Sequence, residues 1–185
     1  MIELMTAVGV IAVASAVAVP VTSRAVGDLR LRGDAHAVAN SVALAKMRAT
    51  SSFSRARMFV DLSTDVFFIQ VWNKIEETWE TEGGAIAMSN GVAFGYGGLD
   101  EPPPATQASI NQSPLCDDDA GEPIAETACV TFNSRGIPVD NTGAPTGNNA
   151  LYITNGVSVY VTTLTATPLV RLWWSPGHTP AWVQQ

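Results

Sequence analysis

The sequence predicts an α+β fold, in which one long N-terminal helix lies across an antiparallel β-sheet. Two observations predict it. An uncharged apolar run and then a helical repeat occupy about the first fifty residues, and after Ser54 apolar residues tend to recur at every second position. With 185 residues, the chain has room for one globular domain and one extended element.

The first element is an apolar helix at the N-terminus. Eighteen residues from Leu4 to Val21 carry no charge and lie between Glu3 and Arg24. At 1.5 Å per residue this helix is about 27 Å long, close to the hydrocarbon thickness of a membrane. No basic residues precede the run, as they would in a cleaved secretory signal, so we expect the segment to be retained.

Small side chains are frequent within this run, at Ala7, Gly9, Ala12, Ala14, Ser15, Ala16 and Ala18. They let helix backbones approach closely in an apolar medium, which favours assembly of several helices over a solitary membrane anchor. Pro20 removes one helical hydrogen bond and clashes with the carbonyl of Ala16. It therefore predicts a local helix break, either a kink at the membrane exit or an unwound turn.

The helix is expected to continue as an amphipathic half-helix over about residues 23–52. Its apolar face is predicted to contain Val26, Leu29, Gly33, Ala37, Val42, Leu44 and Ala45. A single rod of about 75 Å exceeds what a domain of this size can cover. We therefore divide the chain into a hydrophobic half-helix (1–22), buried in lipid or other subunits, and a globular domain (23–185).

Alternating apolar residues beyond the helix predict seven strands: Met58–Leu62, Val66–Trp72, Gly91–Phe94, Cys129–Phe132, Leu151–Thr154, Val157–Thr162 and Leu169–Trp174. Turn-forming residues separate them. Between Gly95 and Cys129 lies a stretch rich in Pro, Gly, Asp and Gln, which we expect to be an exposed loop.

The net charge of −7 is unevenly distributed. Seven of the ten Lys and Arg residues lie between Arg24 and Arg57, whereas from Met58 onward fourteen acidic residues accompany three basic ones. The later part of the chain would repel a phosphate backbone, so no nucleic-acid partner is expected.

Cys116 and Cys129 lie in a Gly-, Pro- and Asp-rich stretch without a nearby histidine, which disfavours a metal site. A local disulfide would place the domain in an oxidising compartment. The alternative is a pair of buried free thiols.

The patterns of an enzyme or a cofactor protein are not evident. His36 and His178 have no obvious partners, and no Gly-rich phosphate loop occurs. The carboxylates of residues 117–119 and Glu122 could bind calcium, but their spacing is not that of a helix-loop-helix site, which favours a solvated acidic loop. Five indoles could stack on a ligand or serve as core and subunit contacts: Trp72, Trp79, Trp173, Trp174 and Trp182. The chain is predicted to be no enzyme and to need no cofactor or metal.

The segment Met1–Met5 with the apolar run after it resembles the start of a processed type IV pilin or type II secretion pseudopilin, which carries the prepilin methylation motif. Members typically show Phe-Thr-(apolar)-Ile-Glu-Leu after the leader-peptidase cut. This chain matches with the first two residues absent, so we expect an in-frame Gly-Phe-Thr preceded by basic residues upstream. The strand order, Val130–Gly136 and Val170–Leu172 resemble the H-type pseudopilin and fimbrial-T group.

The resemblance implies a pilin-like fold and a structural role. The chain would form a homo-oligomeric helical filament with help from an inner-membrane assembly platform and minor pilins. It would lie in the inner membrane before assembly and in an extracellular or periplasmic filament afterwards. DNA binding is not expected, because the tail after Ser175 lacks the basic tract of DNA-uptake members.

The resemblance also assigns roles to two residues of the helix. Glu3 would pair with the N-terminal amine of a neighbouring subunit, although a carboxylate at a helix N-terminus could equally lie at the membrane surface. Pro20 corresponds to the helix-breaking proline of the family. Two alternatives stay open: a signal-anchored extracytoplasmic binding domain that does not polymerise, and a secreted enzyme with an uncleaved signal.

Overall fold

The computed structural model describes residues 2–167 and 169–185, and within the helix it describes side chains at Ala16 and from Thr22 onward. The helix, α1, spans Ile2–Ser51, which is 50 residues and about 75 Å. Its C-terminal end at Ser51 agrees with the predicted end of the amphipathic half-helix at about residue 52.

Twelve strands follow the helix in the described residues: β1 Ala56–Asp61, β2 Val66–Asn73, β3 Thr78–Ala87, β4 Ala93–Phe94, β5 Cys116–Asp117, β6 Pro123–Ile124, β7 Thr127–Phe132, β8 Pro138–Val139, β9 Asn149–Thr154, β10 Ser158–Leu164, β11 Val170–Pro176 and β12 Val183–Gln184. The first sheet has the strand order β3-β2-β1-β7-β8 and the second β12-β11-β10-β9-β4, while β5 and β6 form a separate hairpin. Every pairing is antiparallel, so the predicted α+β arrangement is confirmed.

The core forms where α1 meets both sheets. The C-terminal part of the helix packs chiefly against the first sheet, in a buried cluster that includes Val38, Val42, Ala45, Ala49, Met58, Val60, Phe67, Val130 and Phe132. The preceding part packs against the second sheet, in a cluster of Leu31, Ala35, Val92, Ile153, Tyr160 and Leu172. One helix therefore joins two sheets that share few strand contacts with each other.

The predicted apolar face of the amphipathic half-helix was wrong in part. Val42 and Ala45 are buried as expected, but Val26, Leu29 and Leu44 are exposed. The residues that contact the sheets follow a spacing of four and three: Leu31, Ala35, Val38, Val42, Ala45 and Ala49. Small alanines on this face let the helix lie close to the sheets, whereas apolar periodicity alone favoured the larger leucines on the opposite side.

The predicted exposed loop after Gly95 was also wrong in part. The second sheet is apolar on both faces, and the side away from α1 is covered by residues of this segment, in a cluster with Leu99, Tyr96 and Ile110. Gln112 fixes the covering segment, because its side-chain amide exchanges two hydrogen bonds with the backbone of Tyr152, at 2.9 Å each. The stretch therefore buries apolar surface although it contains little secondary structure.

The sequence analysis missed β3 and the short strands β5, β6, β8 and β12. Strand β3 is an edge strand whose residues are mostly exposed, so it lacks the apolar alternation that identified the others. Gly83, with φ of 78°, also interrupts it. This strand is defined by the hydrogen bonds of its backbone to β2, because its side chains are not buried and leave no apolar pattern in the sequence.

Candidate assembly surface

The candidate functional surface is an exposed apolar stripe along α1, which we call the outer stripe: Val26, Leu29, Gly33, Leu44 and Met47. Leu29 is 69% exposed and Met47 is 64% exposed. With 3.6 residues per turn, these residues lie on the side of the helix opposite the sheet-facing residues. The helix therefore presents apolar residues on two sides, one toward its own domain and one toward solvent.

Polar contacts beside the outer stripe fix the rotation of the helix. The carboxylate of Asp34 accepts hydrogen bonds from the backbone N–H and the hydroxyl of Ser89, at 2.9 and 3.0 Å. Arg48 and Glu82 form an ion pair at 2.8 Å, which contributes less than about 1 kcal/mol because both side chains are exposed. Together with the core, these contacts keep the outer stripe directed away from the domain.

The side chains of the predicted assembly residue Glu3, of Pro20, the predicted helix break, and of the apolar run Leu4–Val21 except Ala16 lie outside the described part of the chain. Their roles stay predictions. Among the residues that were described, no helix meets the length and hydropathy needed to cross a membrane.

Cys116 and Cys129 form a disulfide, the first of the two predicted alternatives. Cys116 begins β5 and Cys129 lies in β7, so the bond ties the β5–β6 hairpin to the first sheet. Their separation of 13 residues makes this a local loop. The disulfide holds the acidic segment beginning at Asp117 over the face of the sheet that lies away from α1.

Beneath this hairpin lies Arg57, a buried cation that the sequence analysis did not single out. Arg57 lies in β1, and only 3% of its surface is exposed. Nε donates to Gln70 Oε1 at 2.8 Å, and Nη1 donates to the backbone carbonyl of Asp117 at 2.6 Å. Burial lowers the pKa of Arg57 to about 10, while the nearby carboxylates of Asp117 and Asp119 oppose that shift.

Asp117 responds to the same environment. Burial raises the pKa of its carboxyl group, and the positive charge of Arg57 acts in the opposite direction. For both groups the loss of water outweighs the attraction between them, as is common for charges inside a protein. Arg57 therefore occupies a dehydrated position beneath the hairpin, whereas the carboxylate of Asp117 is half-buried and accepts from Asn141 Nδ2 at 3.0 Å.

Two tryptophans complete this side of the first sheet. Trp72 and Trp79 face each other across β2 and β3, with ring centroids 5.2 Å apart in an edge-to-face arrangement. The guanidinium of Arg57 lies 3.9 Å from the ring centroid of Trp79, and that of Arg55 lies 4.5 Å from that of Trp72. Both contacts have the distances of cation–π interactions.

The other tryptophans with described contacts belong to the second sheet. Trp173 is buried and donates from Nε1 to the hydroxyl of Thr163 at 3.0 Å. Trp182 lies against Tyr152, with ring centroids 6.1 Å apart. Trp174, in β11, is partly buried against the cluster that contains Leu31 and Ile153. These three agree with the core interpretation of the tryptophans.

The acidic residues after Cys116 are directed to different partners. Asp118 Oδ1 accepts from the backbone N–H groups of Ala120 and Glu122, each at 2.9 Å, and Asp119 Oδ1 accepts from the N–H of Trp79 at 2.8 Å. In the described ranges 2–167 and 169–185, no group of three or more His, Cys, Asp or Glu side chains is arranged to hold a metal ion. These carboxylates order the hairpin.

No protein-family model matches the chain, and no curated protein matches it. Among solved structures, the chain is similar to the minor pseudopilin EpsH from the type II secretion system of Vibrio cholerae. One structure of that protein has 13% identity and a TM-score of 0.48, over 77% of this chain and 95% of EpsH. A second has 13% identity and a TM-score of 0.47, over 82% of this chain and 97% of EpsH. A likeness at this level does not indicate what the chain binds.

Proposed function

We propose that this chain is a structural subunit of a type IV pilus-like filament, a pilin or pseudopilin, and that it assembles through α1. The observation that carries the proposal is the outer stripe. Exposed leucine and methionine recur along one side of a helix that already buries its opposite side against its own domain. Burying one such side chain stabilises a contact by roughly 1.5–3 kcal/mol.

The partner of the outer stripe is α1 of a neighbouring copy. The uncharged, small-residue segment Leu4–Val21 belongs to the same helix as the outer stripe, so both are available to neighbouring helices. Close helix packing around a common axis buries this surface. The acidic β-rich domains then lie outside the helices.

Before assembly, Leu4–Val21 anchors the subunit in the inner membrane, and the assembly platform and minor pilins move it into a periplasmic or extracellular filament. The resemblance of the first residues to processed pilins supports this sequence of states. In the filament, the Glu3 carboxylate pairs with the N-terminal amine of the adjacent subunit. An unpaired carboxylate in an apolar core is costly, so the pair contributes to register as well as to affinity.

A Glu3→Ala variant is expected to remain in the membrane fraction and to yield few filaments, because the amine of the adjacent subunit loses its partner. The measurement is the ratio of sedimented filament to membrane-bound subunit in cells that express the assembly platform. Glu76→Ala, which removes an exposed carboxylate in the turn after β2, should assemble like the unaltered chain. Normal assembly of Glu3→Ala would contradict the pairing role. Membrane-bound monomers for every variant and for the unaltered chain would favour the signal-anchored binding domain.

A further inference from the structure

The β5–β6 hairpin and the first sheet border a partly open cavity that the filament proposal does not use. Its volume is about 440 Å³, within the size range of small-molecule sites. The lining includes two guanidinium groups, two indoles, five carboxylates and one carboxamide. From this arrangement we infer that the cavity binds a neutral saccharide.

The wall of the cavity is rigid before any ligand enters. Arg57 is held between Gln70 and the carbonyl of Asp117, and it stacks over Trp79. The disulfide between Cys116 and Cys129 fixes the hairpin that forms the opposite wall. A site ordered in this way loses little conformational entropy when a ligand binds.

The rim offers fixed hydrogen-bond acceptors. Asp118 and Asp119 each use Oδ1 to order the hairpin and the end of β3. Their Oδ2 atoms accept no hydrogen bond from any described residue. A second loop contributes Asp140, whose Oδ1 accepts from the backbone of Thr142 at 2.9 Å. Carboxylate oxygens held at fixed positions are strong acceptors for hydroxyl groups.

The mixture of charges selects against simple ions. An anion would meet the five carboxylates, from Glu77, Asp117, Asp118, Asp119 and Asp140. A cation would meet the guanidinium of Arg57, which is part of the wall, and that of Arg55 at the rim. A hydroxyl group both donates and accepts hydrogen bonds, so a neutral polyol satisfies the two kinds of charged group together.

The indoles supply the remaining requirement. Trp72 and Trp79 are half-buried on the cavity side of the sheet, and their ring planes are inclined at 69° to one another. Guanidinium groups lie over both rings, and the indole surface that they leave exposed suits the C–H groups of a sugar ring, while the ring hydroxyls reach the charged rim. Neither a purely apolar ligand nor a small inorganic ion uses both parts of this lining.

The test is saturation-transfer NMR of the full chain, in a detergent without a sugar headgroup, with cellobiose, chitobiose, maltose and lactose as probes. At least one disaccharide is expected to bind saturably. Arg55→Ala should weaken its Kd about tenfold, the loss expected for one charge-assisted hydrogen bond. Arg135→Ala, which removes an exposed guanidinium outside the cavity lining, should leave the Kd unchanged.

Competition separates a saccharide site from an ion site. Sodium sulfate or spermidine, added at the same total concentration as the disaccharide, should leave the saturation-transfer signal of the disaccharide unchanged. The inference is overturned if none of the four disaccharides binds saturably, if Arg55→Ala binds like the unaltered chain, or if either ion displaces the sugar. Because filament formation is not part of the readout, these results are independent of the proposed function.

Discussion

Replacing Leu29 with glutamate should abolish filament assembly and leave the domain folded. Leu29 is 69% exposed in the single subunit and lies on the outer stripe, outside the buried core, so the substitution removes little contact within the domain. In a filament it would bury a carboxylate without a cation, at a cost on the order of several kcal/mol per contact. That cost recurs at every subunit along the filament.

The measurement is the sedimented filament fraction, read beside the thermal unfolding of the solubilised subunit. Val157→Glu is the matched control, because Val157 is 62% exposed and lies in the turn between β9 and β10. Both variants should unfold like the unaltered chain, since surface substitutions change the free energy of unfolding by about 0.5 kcal/mol or less. Only Leu29→Glu should fail to assemble. Assembly of both would show that the outer stripe is not the interface.

Removing the disulfide, by Cys116→Ala with Cys129→Ala, should lower the free energy of unfolding by roughly 3 kcal/mol, as expected from chain entropy for a short loop. The loss has a second component. The hairpin carries the backbone carbonyl of Asp117, which accepts a hydrogen bond from Arg57. When the hairpin loosens, the buried guanidinium loses this acceptor, and the free energy of unfolding falls further. Urea unfolding of the solubilised chain measures the difference.

Reductant provides the control for that experiment. It should destabilise the unaltered chain by a similar amount and have no effect on the double variant. If the oxidised chain and the double variant are equally stable, the other contacts of the hairpin are sufficient to hold it. That result would contradict a stabilising role for the disulfide.

Much of the fold could be predicted from the sequence because burial leaves a periodic signal. In six strands, apolar residues alternate with polar ones or follow one another without interruption, and each strand overlaps a predicted segment: β1, β2, β7, β9, β10 and β11. Strand β3 could not be found in this way, since an edge strand is defined by backbone pairing and its side chains are exposed. The segment after Gly95 was misassigned because its covering residues are dispersed among polar ones, with no period.

The helix face shows why periodicity is ambiguous when a helix has two partners. Val26, Leu29 and Leu44 carry as strong an apolar signal as the buried Leu31, Val38 and Val42, and nothing in the spacing says which set meets the sheets. The buried face is distinguished only by its alanines. A helix with apolar residues on opposite sides is itself the signal of a second partner.

The cavity depended on contacts between distant parts of the chain. Arg55 immediately precedes β1, Arg57 lies within it two residues later, and Trp72 and Trp79 flank a short hairpin turn, so their common face could have been predicted from strand alternation. Asp117 lies 60 residues from Arg57 in sequence, and no local pattern connects them. The disulfide, one of two alternatives that the sequence allowed, helps to hold the hairpin over that face, together with hydrogen bonds between residues far apart in sequence.

Cryo-electron microscopy of the chain, expressed together with its assembly platform, tests the central claim most directly. The account predicts a helical filament in which copies of α1 pack in a common core, with the outer stripe buried against neighbouring helices and the β-rich domains outside. Subunits that stay as monomers in the membrane, or filaments in which the outer stripe faces solvent, would contradict it.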